Sequence, residues 1–236
     1  MVEIINNIEI VDLALYLKKQ KILVLSDVHI GYEESLNKQG VLIPRFQFKD
    51  LILKLKKIFS VVNPELVIIN GDLKHEFGSI SDQEWRDTLK FLDFFTERGK
   101  KVILMKGNHD TILGPIARKR DVEIKDYHFV DDIYITHGDK IPKNNDFKKS
   151  NVLIIGHTHP AISLRDEAKS EKFKCFMKGK WKTKSLIVLP SFNLVTEGSD
   201  VQQEKLLSPF LQQKLGDFEI YVVGDKIYYF GKLKNI

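Results

Sequence analysis

Five short apolar runs, each followed by a loop of glycine and polar residues, constrain the fold of this chain most strongly. They occupy residues 21–27, 65–71, 101–107, 132–138 and 152–157. Apolar runs of this length that do not alternate with polar residues are typical of strands covered on both faces. Since helical patterns separate the first three runs, they predict right-handed crossovers and a largely parallel sheet.

Two helices are predicted between these first three runs. In residues 46–62 the apolar side chains recur with helical spacing, and a proline after Asn63 ends the pattern. The second helix begins at Ser81, where Glu84 completes a capping box, and it ends at Gly99.

From about residue 121 the helices are expected to stop, because alternating patterns take over. The alternation is clearest in "VEIKDYHF", "FKCFM", "SLIVLP" and "FEIYVVGDKIYYFGKL". These segments predict a strand-rich, mainly antiparallel sheet. A strand–helix half followed by a strand-only half predicts an α/β fold, with two sheets packed face to face and helices outside.

The composition is that of an ordinary globular protein. The 236 residues suit a single domain over residues 1–236. Cys175 is the only cysteine, which excludes an intramolecular disulfide and favours a reducing compartment. Neither a secretory signal nor an apolar run of the roughly 20 residues that a membrane span needs is present, so a cytoplasmic protein is expected. The net charge of +5 is compatible with polyanionic partners without establishing them, and the oligomeric state stays open.

The loops after the five apolar runs hold an unusual set of polar side chains. They contribute Asp27 and His29, then Asp72, Lys74 and His75, then Asn108, His109 and Asp110, then His137, and finally His157 and His159. Of the seven histidines only His128 lies elsewhere, in an alternating strand that indicates a structural role. Parallel strands deliver their carboxyl ends to one edge of a sheet, where ligands bind in open α/β folds. We therefore expect these loops to meet in one crevice.

The residue types in this crevice predict a metal site. Side chains at i and i+2 of an extended chain share a face, so Asp27 and His29 can bind one ion. The same spacing lets His157 and His159 face one pocket. Carboxylates and imidazoles without a thiolate favour manganese, iron, zinc or cobalt. The candidate ligands exceed the four of a single zinc site, which favours two ions and gives each histidine of the pair its own ion.

Taken singly, each motif also has an ordinary structural explanation. An Asp-x-His at a strand end can be a capped turn, a Gly-Asp is commonly a turn, and His137 before a glycine can be a plain loop residue. Lys74 can be a solvated lysine rather than a group that faces the crevice. Five such loops after five apolar strands, in this order, favour a shared site over these alternatives.

The ordered set of motifs resembles that of the calcineurin-like metallophosphoesterases. Asp-x-His, Gly-Asp, Gly-Asn-His-Asp, a lone histidine and Gly-His-x-His follow one another between residue 26 and about residue 160. The segment "GDLKH" and the short form look closest to small archaeal proteins related to the SbcD-type DNA-repair nucleases. Residues 31–47 and 190–202 are also similar to segments of that subgroup. The resemblance implies a four-layer αββα sandwich, in which two mixed sheets pack face to face between outer helices.

The resemblance also implies a role for each polar side chain. Asp27, His29 and His159 would hold the first ion, Asn108, His137 and His157 would hold the second, and Asp72 would bridge both. His109 would face the substrate, where it stabilises the phosphoryl transition state or protonates the leaving group. His75 would orient His109, and Asp110 would help to hold the loop. The cofactor would be two divalent metal ions, with manganese favoured over iron, zinc, nickel or cobalt.

The chemistry expected of such a site is hydrolysis of a phosphate ester. Two ions roughly 3.5–4 Å apart lower the pKa of a bridging water, and the resulting hydroxide can attack phosphorus. A neighbouring histidine can protonate the leaving group. The first hypothesis is a two-metal phosphodiesterase acting on nucleotides or nucleic acid, including single strands. A phosphomonoesterase acting on a small phosphate ester and a non-catalytic metal-binding scaffold are the alternatives.

Two features separate this chain from other branches of the family that it resembles. Fewer than eighty residues follow His159, and their strand-like pattern argues against the capping domain and partner-binding tail of the double-strand-break nucleases. Lys74 and Lys106 stand where the phosphoprotein phosphatases place arginine, which argues against that branch.

A lysine-rich segment at 169–184 is the strongest indication of a binding surface outside the crevice. As a hairpin that turns at Gly179, it would place Lys172, Lys174, Phe176 and Lys178 on one face, Lys180, Lys182 and Lys184 on the return strand, and Phe173, Met177 and Trp181 against the body. Such a ribbon could follow a phosphate backbone. The alternative is an ordinary edge hairpin, because edge strands commonly carry lysines that prevent aggregation.

Overall fold

The first half of the chain forms one mixed sheet. The computed structural model describes residues 1–44, 46–76, 80–110, 113–166 and 169–236. Within these residues the strands of this sheet are, in spatial order, β1 (Val2–Ile5), β2 (Ile8–Val11), β3 (Ala14–Leu17), β4 (Ile22–Leu25), β5 (Leu66–Asn70), β6 (Lys101–Met105) and β7 (Glu123–Lys125). β1 to β4 form an antiparallel meander, and β4 to β7 pair parallel. The parallel part confirms the prediction, whereas sequence analysis missed the meander.

The helices of this half are α1 (Tyr32–Lys38), α2 (Gln47–Val61), α3 (Asp82–Thr96) and α4 (Gly114–Arg120). The predicted capping box at the start of α3 is confirmed, because the Ser81 hydroxyl accepts the Glu84 main-chain N–H group at 3.1 Å. α1 and α4 were not predicted, since about two turns are too short to show a full apolar stripe. None of the helices in the described ranges is long and apolar enough to cross a lipid bilayer.

The second half forms a larger mixed sheet. Its strands are β8 (His128–Val130), β9 (Ile133–Ile135), β10 (Val152–Ile155), β11 (Pro160–Asp166), β12 (Lys169–Trp181), β13 (Lys184–Val188), β14 (Ser199–Asp200), β15 (Glu219–Val223) and β16 (Ile227–Lys232). The main path runs β14-β11-β12-β13-β10-β9-β8, and β15 joins β12 to β16. Most pairs are antiparallel as predicted, but β9, β10 and β13 run parallel, and β11 pairs parallel with β14. The short helix α5 (Asn145–Lys149) corrects the expectation that helices stop near residue 121.

Three apolar layers join the sheets and the helices. Leu23 and Leu25 of β4 belong to the cluster under α2 and α3, whereas Val24 between them belongs to the cluster that separates the two sheets. A third cluster covers the outer face of the second sheet with α5 and a 3-10 turn at Pro209–Leu211. This arrangement confirms the predicted four-layer αββα sandwich.

The lysine-rich segment does not fold as the predicted hairpin. β12 continues through Gly179, which pairs with Leu186, and the chain turns only after Trp181. A Cβ atom at position 179 would lie 2.5 Å from the Phe218 ring, so this glycine permits close packing rather than a turn. Among the described residues, β12 has paired neighbours on both sides only at Met177 and Lys178, and the stretches 169–174 and 179–181 pair with one neighbour each. The edge-strand alternative therefore stays a prediction for the lysines near the turn.

The side chains of β12 also divide differently from the prediction. Phe176 is fully buried between the two sheets, so it does not share an exposed face with the lysines. Phe173, Met177 and Trp181 pack against the body of the protein, as predicted.

The carboxyl ends of five strands that precede the polar loops converge at one edge of the sandwich. β4, β5 and β6 belong to the first sheet, whereas β9 and β10 belong to the second, which corrects the expectation that one sheet supplies them all. The sheets are tied together here by the Asn70 side-chain amide, which donates to the Thr136 carbonyl at 2.9 Å. The crevice therefore lies between the two sheets.

Candidate metal centre

The backbone of the candidate ligands has an unusual conformation. Positive φ angles occur at Asp27 (54°), His29 (48°), Asp72 (47°), His157 (65°) and His159 (49°). This left-handed conformation is uncommon outside glycine, although aspartate and histidine adopt it more readily than most residues. Residues held in such conformations cluster at functional sites. The main-chain conformation alone therefore indicates a functional site at these strand ends.

Asp27, His29 and His159 bring their ligand atoms close together, and these three side chains are called the first metal group. The Nε2 atoms of His29 and His159 lie 3.2 Å apart. The Oδ1 atom of Asp27 is 3.3 Å from the same nitrogen of His159. The other oxygen of Asp27 accepts hydrogen bonds from the Ser26 hydroxyl at 2.6 Å and from the His157 main-chain N–H group at 2.9 Å. These two hydrogen bonds fix the carboxylate so that Oδ1 faces the histidines.

The second metal group consists of Asn108, His137 and His157, with His137 at its centre. Its Nε2 atom is 3.1 Å from Nδ1 of His157 and 3.1 Å from the side-chain oxygen of Asn108. Its Nδ1 atom donates to the Asn70 carbonyl at 3.2 Å, because a carbonyl can only accept. The ring is thereby held with Nε2 facing the other ligands, as second-layer hydrogen bonds commonly do for metal-binding histidines.

Asp72 stands between the two groups. Its Oδ2 atom lies 3.5 Å from Nε2 of His137 and 3.9 Å from Nε2 of His29. Its Oδ1 atom accepts the main-chain N–H group of His109 at 2.9 Å. One oxygen therefore faces a histidine of each group while the main chain holds the other, which is the arrangement that a bridging carboxylate needs.

The described residues fit a pair of divalent ions. Atoms that bind one ion at about 2.1 Å lie roughly 3.0–3.4 Å apart, and the closest ligand pairs here are separated by 3.1–3.3 Å. Among the described residues, Oδ1 of Asp27 is buried without a hydrogen-bond donor, which is costly unless a cation binds it. Carboxylate, imidazole and amide donors without a thiolate suit several borderline ions, so manganese stays a prediction.

Two glycines leave room for the carboxylates. A Cβ atom on Gly107 would lie 2.1 Å from Oδ1 of Asp72, and one on Gly156 would lie 2.5 Å from Oδ2 of Asp27. Any larger residue would displace the carboxylate or the main chain. The Gly-Asn-His-Asp and Gly-His-x-His motifs therefore begin with glycine because the main chain passes directly beside an aspartate.

Burial and neighbouring charges set the pKa values in the crevice. Burial lowers the pKa of His29 to about 3, and the nearby His159 adds to this shift. Burial also opposes a charge on His137, but the hydrogen bond to Asp72 and the charge of Asp27 raise its pKa to about 9. Burial alone would raise the pKa of Asp27, yet the surrounding histidines hold it well below its usual range. A metal ion that binds His137 therefore displaces a proton from it.

His109 and His75 stand beside the two groups. Nδ1 of His109 donates to the main-chain carbonyl of His75 at 2.7 Å. This contact directs Nε2 of His109 towards Oδ2 of Asp72, which is 3.9 Å away. The two imidazole rings stack with their centroids 5.7 Å apart. The carbonyl of His75 thus orients His109, and the ring of His75 packs against it.

Asp110 joins two loops and does not line the cavity beside the metal groups. Its carboxylate accepts the main-chain N–H groups of Gly107 and Leu73, each at 3.1 Å. Burial, with the nearby charge of Asp72, raises its pKa to about 6. These contacts agree with the expectation that Asp110 holds the loop after β6.

A third set of imidazoles overlaps the first metal group. His29, His75 and His109 offer ligand atoms that all lie within 4.8 Å of one another. The ring centroids of His29 and His109 are 5.0 Å apart, and those of His29 and His75 are 5.5 Å apart. An ion bound to this set would compete with the first group for His29.

Lys74 does not reach the crevice. Its side chain is fully buried, and its ammonium group donates to the main-chain carbonyl of Glu76 in the same loop. The solvated lysine considered as the alternative is therefore wrong. The contact shows Lys74 supporting its own loop.

The lysines at the β12–β13 turn lie far from the candidate ligands. Ser185 pairs with Val152 at the start of β10, whereas Val188 pairs with Ile155 at the end that leads into the crevice. β13 spans roughly 13 Å from Lys184 to Val188 at about 3.3 Å per residue, and Lys182 lies in the turn before its start. The structure therefore places Lys180, Lys182 and Lys184 at the opposite edge of the sheet.

Asn193 is a component of the centre that sequence analysis did not single out. Its fully buried side-chain amide donates to the carbonyls of Val28 and His29 at 3.3 and 3.4 Å. Its main-chain N–H group donates to the carbonyl of Asp27 at 3.2 Å. Asn193 follows β13, so recognising β13 as a parallel neighbour of β10 would have predicted that this loop reaches the crevice.

A cavity of about 300 Å³ opens beside the first metal group. The imidazoles of His29, His75, His109 and His159 line one part of it, and Tyr32 with the loop at 193–199 lines the rest. Neither lysine nor arginine belongs to the described residues that line this cavity.

This chain matches one family model and several solved structures. The model of the calcineurin-like phosphoesterase family matches residues 20–226. The fold is similar to the crystal structure of the Pseudomonas putida nuclease MPE, with 21% identity, a TM-score of 0.64, and coverage of 92% of this chain and 90% of that chain. The E. coli phosphoesterase Yfce is 15% identical, with a TM-score of 0.41 and coverage of 86% and 88%. No curated protein sequence matches this chain.

Proposed function

Because this chain belongs to the calcineurin-like phosphoesterase family, whose members hydrolyse phosphate esters, we propose that it is a two-metal phosphodiesterase acting on nucleic acid or nucleotides. The family resemblance of the sequence is confirmed, whereas the closer relation to small archaeal and SbcD-type proteins stays a prediction. The observation that carries the proposal is the position of Asp72, whose Oδ2 atom lies 3.5 and 3.9 Å from histidines of the two metal groups.

The two groups would each hold one ion. The ligands are Asp27, His29 and His159 for the first ion, Asn108, His137 and His157 for the second, and Asp72 for both. When bound, such a pair of ions activates a water molecule and neutralises charge on the phosphate oxygens. The carboxylates balance the positive charge of the pair, and their hydrogen bonds to the main chain keep them oriented.

His109 is the proposed proton donor to the leaving group. Its Nδ1 hydrogen is engaged by the carbonyl of His75, so Nε2 is the atom directed to the crevice. Nε2 can donate a proton only while the ring carries both hydrogens, so the cationic imidazole is the active acid. The main-chain hydrogen bond from His109 to Asp72 keeps this acid and the bridging carboxylate in a fixed relation.

The cavity has room for the second alcohol group that distinguishes a diester from a monoester. The pair of ions would neutralise charge on the phosphate of either ester. The phosphodiesterase is therefore the first proposal, and the phosphomonoesterase stays the alternative that turnover must separate from it.

The choice of nucleic acid or nucleotides rests on charge and on fold. The net charge of +5 is compatible with a polyanion, and a protein that shares the fold is named as a nuclease. Lys180, Lys182 and Lys184 would contact only a strand long enough to extend from the crevice to the opposite edge of the sheet. We propose manganese as the working metal and single strands among the substrates.

Hydrolysis of bis(p-nitrophenyl) phosphate beside p-nitrophenyl phosphate, both with manganese, tests the proposal. We expect faster turnover of the diester. Asp72→Ala should lower it by about 10³-fold or more, because a shared ligand supports both ions. Asp225→Ala removes an exposed carboxylate on the β15–β16 turn and should keep wild-type turnover.

Each other outcome has a distinct meaning. Preference for the monoester would favour the phosphomonoesterase. Metal-dependent turnover that persists in Asp72→Ala would contradict the bridging role. Absence of turnover in a protein that binds two ions would favour the non-catalytic scaffold.

A further inference from the structure

One wall of the cavity beside the first metal group is aromatic. Tyr32 begins α1, and its main-chain N–H group donates to the carbonyl of His29 at 3.2 Å. Its ring lies 4.4 Å from the ring of His75, measured between centroids. Tyr32 is half-buried, so part of its surface stays open to the cavity. The ring is therefore fixed beside His75, in the wall of the cavity that the proposed proton donor His109 also lines.

The opposite wall is a polar loop that the main chain holds in place. The side-chain oxygen of Asn193 accepts the N–H groups of Val195 and Thr196 at 2.8 and 3.3 Å. Ser199 donates its N–H group to the carbonyl of His159 at 2.9 Å. A Cβ atom on Gly198, which has a φ of +112°, would lie 2.0 Å from that carbonyl. This wall is thus fixed to a ligand of the first ion.

We propose that this cavity is a subsite for one nucleoside attached to the phosphate being cleaved, with its base against Tyr32. A volume of about 300 Å³ lies at the lower end of small-ligand pockets, which suits one nucleoside and excludes a base pair. Tyr32 offers a face for stacking, and the hydroxyl groups of Thr196 and Ser199 can bind the sugar or the base edge. The absence of lysine and arginine from the described lining suits this uncharged part of a nucleotide.

The subsite rests on the proposed phosphodiesterase function, and it explains how a single strand would be favoured over a duplex. In a duplex the base would have to unpair and unstack before it could enter, which costs free energy. A base at a strand end or in a single strand enters without this cost. Aromatic stacking of this kind is tolerant of base identity, so the subsite would favour nucleosides without selecting one sequence.

Calorimetric titration of the manganese-loaded protein with thymidine 5′-monophosphate and with methyl phosphate tests this subsite without requiring turnover. Both ligands offer the same phosphate group, so their affinity ratio reports the nucleoside contribution. We expect the nucleotide to bind at least about tenfold more tightly. Tyr32→Ala should reduce that ratio about tenfold, and Tyr32→Phe should preserve it. Tyr32→Leu keeps an apolar side chain without the ring and should behave like the alanine variant.

Tyr228→Ala, which removes an exposed tyrosine on β16, is the matched control and should keep the wild-type ratio. Equal affinities of the two ligands for the wild-type protein would overturn the subsite. So would a ratio that survives in both Tyr32→Ala and Tyr32→Leu. Failure of the phosphodiesterase proposal has a separate signature, namely absence of diester turnover in a protein that still prefers the nucleotide.

Discussion

His109 is oriented by the main chain of its neighbour rather than by a side-chain partner. The carbonyl of His75 accepts its Nδ1 hydrogen at 2.7 Å. Burial and the neighbouring His109 lower the pKa of His75 to about 4, so that ring is neutral near pH 7. A neutral ring stacked at 5.7 Å limits the movement of His109 without contributing charge. The main-chain carbonyl of His75 therefore orients the imidazole of His109, and Nε2 of His109 is the proposed proton donor.

Replacement of His109 by alanine should lower kcat for bis(p-nitrophenyl) phosphate by about 10²–10⁴-fold, because the leaving group loses its acid. The manganese content, measured by elemental analysis, should stay at the wild-type level. His75→Ala keeps the main-chain carbonyl and should cause a smaller loss. His128→Ala alters a histidine outside the centre and should leave kcat unchanged.

Two results would contradict this assignment of roles. Loss of manganese from His109→Ala would make His109 a metal ligand, as in the third set of imidazoles. Equal losses of kcat in the two variants would show that the ring of His75, rather than its carbonyl, positions the acid.

At the residue scale the sequence predicts the candidate ligands better than their surroundings. Asp27, Asp72 and His137 each follow an apolar strand, so topology alone brings them to one edge. Tyr32 begins the short helix α1, and Asn193 lies several residues beyond the end of β13. A single tyrosine or asparagine at such a position carries no spacing signal. Their contribution depends on the path of the loop, which tertiary contacts determine.

The loop after β13 is the element that connects the metal groups to the cavity. Through Asn193 it holds the carbonyls of Asp27, Val28 and His29, and it continues to Ser199 beside His159. The main-chain N–H group of Phe192 also donates to the carbonyl of Ser26 at 2.7 Å. The loop therefore supports the loop after β4 along several consecutive residues.

Asn193→Ala should weaken manganese binding at the first group by about 10–100-fold, the usual effect of removing a residue that orients metal ligands. Asp72, His137 and His157 do not depend on this contact, so the second group should keep its affinity. Manganese titration followed by electron paramagnetic resonance measures both sites. Asn63→Ala changes an exposed asparagine after α2 and serves as the control. Equal weakening at both sites would show that Asn193 supports the whole fold rather than one loop.

The length of a helix or strand decides whether its pattern can be recognised in the sequence. α2 and α3 are long enough to display an apolar stripe, and the strand runs that precede the polar loops lie at β4, β5, β6, β9 and β10. α1, α4 and α5 are too short for a stripe. The strand β13 was predicted, but its parallel pairing with β10 depends on long-range contacts that local alternation cannot reveal.

Across the whole molecule, the crevice and the exposed lysines lie at opposite edges of the second sheet. Lys184 donates to the carbonyl of Lys148 near the end of α5 at 2.9 Å, and Lys182 lies over the Trp181 ring, 4.6 Å from its centroid. Lys180 is exposed. The four-layer fold is predictable from the order of strands and helices, but this separation depends on where the β12–β13 turn falls.

Charge reversal at Lys180 and Lys182 should weaken binding of long single-stranded DNA but not of a dinucleotide, since only a long strand reaches that edge. Each lost phosphate contact should reduce the slope of the logarithm of the binding constant against the logarithm of the salt concentration by about 0.7 in magnitude. Fluorescence anisotropy over a salt series measures both effects. Charge reversal at Lys56 and Lys57, which are exposed on α2, makes the same change in net charge elsewhere. An equal effect from that pair, or none from Lys180 and Lys182, would remove the β12–β13 turn from the binding surface.

In the proposed function one carboxylate, Asp72, joins the two metal sites. The most direct test is a titration of the metal-free protein with manganese, followed by electron paramagnetic resonance. We expect the wild-type chain to bind two ions whose spectrum shows magnetic coupling through a shared ligand, and Asp72→Ala to lose that coupling together with affinity. A wild-type chain that binds a single ion, or two ions with uncoupled spectra, would contradict the bridging role of Asp72.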